Sequence, residues 1–130
     1  MSLLVVRLRD IIDRIKDSMS KGEEISQSTI EEIPAIPKDR LVEIVEDAIM
    51  RTDELRREKF PVPPELTTYL STLRTLVKEA RDYGSIEREA SLACVLALAI
   101  LELSDRKLDL SPYLERLREV VLEVVDRAFQ

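Results

Sequence analysis

The sequence predicts a single all-α domain, a bundle of about five mostly antiparallel helices. Its centre is expected to be a hydrophobic helix near residues 85–104. Three observations point there. Apolar residues recur at steps of three and four along most of the chain, the 2 Gly and 6 Pro fall at the ends of those periodic stretches, and Leu92 to Leu101 is apolar without a break. With 130 residues, 45% of them apolar and 35% charged, the chain has the size of one domain and enough surface to bury. Collagen-like, low-complexity and wholly disordered classes are excluded. The expected organisation is an N-terminal helix over 1–21, an acidic, proline-containing connector over 22–37 and a four-helix core over 38–130.

The first periodic stretch runs from Ser2 to Ser20 and places Leu4, Leu8, Ile11, Ile12, Ile15 and Met19 on one helical face, with Arg, Lys and Asp around the rest. Gly22 is its natural stop. The connector then carries Glu23, Glu24, Glu31 and Glu32 and no base. Ser28 and Glu31 have the spacing of a capping box, so a short helical turn is expected before Pro34 breaks it. A connection this long either wraps the bundle to carry the chain across it or lets the first helix dock on a neighbouring copy; wrapping is the expectation.

Asp39 reads as the cap of the second helix, whose inward stripe is Leu41, Val45, Ala48, Ile49, Thr52 and Leu55, ending at Phe60-Pro61. Pro64, which lacks an amide hydrogen, suits the first position of a third helix running to Tyr83. Gly84 and Ser85 read as its stop and the next helix's cap. Ten apolar residues in a helix span about 15 Å, against a hydrocarbon layer of roughly 30 Å, so the fourth helix is too short to cross a membrane and must be buried by its neighbours. Ala90, Ala93, Cys94 and Ala97 let another backbone come close to it. Ser111-Pro112 opens the fifth helix, with Leu114, Leu117, Val121, Val124 and Ala128 facing in.

The chain has no His and one Cys, which removes the commonest general base, the commonest metal ligand and every Ser-His or Cys-His nucleophile. Cys94 lies within the apolar run, where burial keeps a thiol inert. Two glycines cannot spell a phosphate-binding loop. No charged leader with an apolar stretch and cleavage site is evident, so a cytoplasmic location is expected. Scarce Gln, absent Asn and abundant Lys, Arg and Glu follow the trend of heat-adapted proteins.

Carboxylates are the remaining catalytic resource. Glu43, Glu46 and Asp47 fall at three- and four-residue intervals on the second helix and Glu79 and Asp82 three apart near the end of the third, so packed side by side they would form a magnesium site. The arrangement is similar, at the level of fold alone, to the paired acidic motifs of all-helical nucleotide pyrophosphohydrolases. Against it, 26 acids produce such spacings by chance, and Arg40, Arg51, Lys78 and Arg81 stand near enough to neutralise them.

Nucleic-acid binding by the isolated chain is not expected. The net charge is −6, and the bases Arg51, Arg56, Arg57 and Lys59 interleave with acids and complement the negative end of a helix dipole. The expectation is therefore a non-enzymatic interaction or scaffold protein without cofactor or metal, a homo-oligomer or a small subunit of a larger complex. An accessory subunit of a nucleoprotein complex is the alternative, and a magnesium-dependent hydrolase a third. Terminal helices are least committed to covering the centre, which makes Leu4, Leu8, Ile12, Ile15, Val120, Val121 and Val125 the expected interface.

Overall fold

The computed structural model describes residues 2–129. Its helices are α1 (Leu3–Ser20), α2 (Gln27–Glu31), α3 (Lys38–Arg57), α4 (Pro64–Glu79), α5 (Glu87–Leu103) and α6 (Ser111–Ala128), with a 3-10 turn at Tyr83–Ser85. Among the described residues there is no strand. The five long helices agree with the reading of the sequence, and α2 is the short turn expected in the connector.

Helix ends depart from expectation in informative ways. Ser2 caps α1, accepting from the Val5 amide at 3.2 Å. Ser26, not Ser28, caps α2, accepting from Thr29 N at 3.2 Å. Asp39 lies inside α3, whose cap position is Pro37. Ser111 is the first residue of α6, and Asp109 takes its amide at 3.0 Å. The third long helix stops at Glu79 because Ala80 turns extended, at φ −62° and ψ 128°. Ser85 caps nothing there, its hydroxyl donating back to Asp82 O at 2.8 Å.

Two antiparallel hairpins build the frame. Along α3 and α4, Arg74 Nε lies 3.1 Å from Glu46 Oε2, an ion pair whose geometry is too oblique for a hydrogen bond. Along α5 and α6, Arg127 reaches Glu89 at 3.5 Å, bringing the end of one helix beside the start of the other. α5 packs against α1, α3, α4 and α6 and is the centre of the molecule. Its residues Ala93 to Ala97, with Ala99 to Leu101, are all buried. A helix apolar on every side demands this, since each large aliphatic left in water would forfeit about 1.5–3 kcal/mol.

The terminal helices are part of that cover, which corrects the expected interface. Leu8, Ile12, Ile15, Val120 and Val121 are buried in the chain's own core, and Leu4 and Val125 are partly buried against it. α1 spends its apolar face on α5, and α6 spends its own on α5 and α4. On these terminal segments the large apolar side chains left outside are Leu3 (72% exposed) and Val6 on α1, Leu122 on α6 and Phe129 (79%) just past its end.

Candidate functional site

The connector does not hang free. Ile36, near its end, is fully buried; its amide donates to Ser91 Oγ at 2.9 Å and its carbonyl accepts from the Tyr83 hydroxyl. Burial pushes the Tyr83 hydroxyl up to about 12, against the opposing hydrogen bond from Ser91, so it stays a donor. At the other end of the connector, the Tyr113 hydroxyl donates to Glu23 O at 2.7 Å. Between these anchors α2 buries none of its residues fully. The segment thus runs over the bundle between these two anchors, with α2 against α1 and its residues at most partly buried.

Two open troughs result, one on each side of α5. The first lies between α1 and α3, because α1 leans on α5 and barely touches α3. It has about 540 Å³ of space, with Ile12, Ile44, Ala48, Leu55, Leu98 and Leu101 as its apolar walls and floor. Its rims carry Arg9, Lys16 and Arg51 against Asp47, Glu102 and Asp105. Much of that charge is already paired: Glu102 accepts from Arg9 Nη2 at 2.7 Å and from Lys16 Nζ at 3.0 Å. Burial would raise the Glu102 carboxyl, but the hydrogen bonds and charges of Arg9 and Lys16 outweigh it and hold the group below the usual carboxylate value.

The second trough lies between the connector and α6, with about 620 Å³ of space. Its floor is Ile25, Ile30, Leu96, Pro112 and Tyr113, and its rims carry Glu24, Glu115 and Glu119 against Arg116 alone. Both volumes lie in the range of clefts that receive ligands, about 300–1,000 Å³. Neither contains a nucleophile paired to a base, and Cys94 is buried away from them, its thiol pushed by burial up to about 12.

The expected carboxylate site does not assemble. Glu43 pairs with Arg40 at 3.3 Å, Glu46 turns toward Arg74 of α4, and Asp47 faces the first trough. Glu79 ends α4 while Asp82 lies outside the helix, past the extended Ala80, so the two do not share a helical face. Among the described residues no three acids gather as a cation site. The physical reason is the early stop at Ala80 and the rotation of about 100° per residue that separates Glu46 from Asp47.

Glu102 was the residue sequence reasoning passed over. It follows directly after the apolar run, and a charge on a helix buried on nearly all sides needs a partner. Arg9 and Lys16, two turns apart on the first helix, were the signal for it.

No family model, no curated protein and no solved structure matches this chain.

Proposed function

We propose that this chain is a non-enzymatic interaction protein, a scaffold or small subunit that receives an amphipathic segment of a partner or of a second copy beside α5. The observation that carries this reading is the pair of troughs with apolar floors and charged rims, the form that a helix-in-groove contact requires. An amphipathic helix lays its apolar stripe on such a floor and its polar flanks against such rims. Exposed Leu3 and Val6 at the start of α1, Leu122 on α6 and Phe129 just past its end add apolar area around the periphery.

The test is site-specific photo-crosslinking in the protein's own cells. A photoreactive residue replaces Asp47 in the first trough or Arg116 in the second, and Met50, 62% exposed and outside both troughs, serves as the control position. Adducts of discrete mass from a trough position and none from the control support the reading. No trough adducts, or the same smear from all three positions, would refute it.

A further inference from the structure

We infer that the trough between the connector and α6 accepts a basic amphipathic helical segment of a partner protein. This rests on the interaction reading above and names the chemistry of the occupant.

The two troughs differ in charge, and the difference decides the assignment. In the α1/α3 trough, three bases face three acids, and Arg9, Lys16 and Glu102 satisfy one another within hydrogen-bond distance. A partner there would have to displace pairs already made. In the connector/α6 trough, Glu24, Glu115 and Glu119 face only Arg116. Glu24 and Glu119 have no ion-pair partner among the described residues, and Glu115 is held only by its neighbour Arg118 at 3.4 Å. Glu23 and Glu31 lie on the same connector and add to its negative charge. The apolar floor beneath these acids selects against a free cation or polyamine and for a segment with an aliphatic stripe. The acids select Lys and Arg flanks, and a net charge of −6 steers such a segment toward the chain. The same charge repels nucleic acid and anionic membranes.

The probe is a short synthetic helix with leucine on one face and lysine on the other, compared with its leucine–glutamate counterpart by fluorescence anisotropy on the full chain. The lysine peptide is expected to bind and the glutamate peptide not. Glu24→Lys with Glu119→Lys should weaken binding at least about tenfold, whereas the equal charge change Asp53→Lys with Glu65→Lys, away from the trough, should leave it within about twofold. Ile25→Ser should weaken binding without altering the helical circular dichroism. Equal losses from both charge pairs, or equal binding of both peptides, would overturn the assignment by reducing it to diffuse attraction. Failure of the lysine peptide on the parent chain, with crosslinks still captured at Arg116, would sink the basic occupant and leave the interaction reading standing; loss of the crosslinks as well would remove both.

Discussion

Gly22 and Lys59 occupy the same backbone position in two copies of one helix stop. Each has a left-handed φ, 68° and 66°. After α1, Gly22 N donates to Met19 O at 3.1 Å and Glu23 N to Ser18 O at 3.0 Å. After α3, Lys59 N donates to Arg56 O and Phe60 N to Leu55 O, both at 2.9 Å. This is the paired-bond termination that favours glycine at its left-handed residue, because a Cβ there crowds the backbone.

The two positions therefore respond in opposite directions. Lys59→Gly should stabilise the fold by about 1 kcal/mol and Gly22→Ala should destabilise it by about the same amount. A Cβ at Gly22 would meet nothing within 4 Å, so its cost is backbone strain alone. Urea denaturation of both variants checks this, and shifts of the same sign would contradict it.

The bond from Ile36 N to Ser91 Oγ yields a second prediction. Ser91→Ala leaves a buried amide without an acceptor, which costs about 1–3 kcal/mol. Ser104 is the comparison, equally buried but donating at 2.9 Å to Ile100 O within its own helix. Ser104→Ala removes only a local bond and should cost under about 1 kcal/mol. Amide exchange should also separate them: Ile36 N–H loses protection in Ser91→Ala and keeps it in Ser104→Ala.

The centre of the fold was legible because ten consecutive apolar residues leave a helix no face for water, and the periodic stripes of Leu8 to Met19 and Leu117 to Val124 required something to cover. The stripes do not say what they cover, which is why buried Ile12 and Val121 were expected at an interface. The troughs were not legible. They arise from α1 packing on α5 more than on α3 and from α2 lying only partly buried between its anchors, and such crossing geometry depends on side chains far apart in sequence. Local stops such as Ala80, which dissolved the Glu79 and Asp82 pairing, likewise carried no strong signal, since alanine is itself a good helix former.

Glu102 links α5 to α1 in a pH-dependent way. Its folded carboxyl lies below the ordinary value of 4.5, so the stability it supplies is fully present above that value and is lost as pH falls through the lower folded one. Glu102→Gln should cost about 1 kcal/mol near neutral pH, the upper end for a partly exposed ion pair. The gap between parent and variant should close on the acid side and narrow in high salt. A gap that stayed constant from neutral to strongly acidic conditions would mean that charge is not what holds α1 there.

Cys94 reports on how tightly the centre is closed. It is 1% exposed on the central helix, and burial pushes its thiol up to about 12, so at neutral pH almost none is thiolate and no reagent reaches it in the native fold. Labelling by a disulfide reagent should therefore proceed only through opening of the bundle, with a rate that saturates as reagent increases. Lys59→Gly should slow labelling and Gly22→Ala should hasten it, each by about fivefold for a change near 1 kcal/mol when opening is in rapid equilibrium. Fast labelling proportional to reagent and indifferent to both variants would show that α5 is reachable from solvent without opening, and would contradict a centre sealed by α1, α3, α4 and α6.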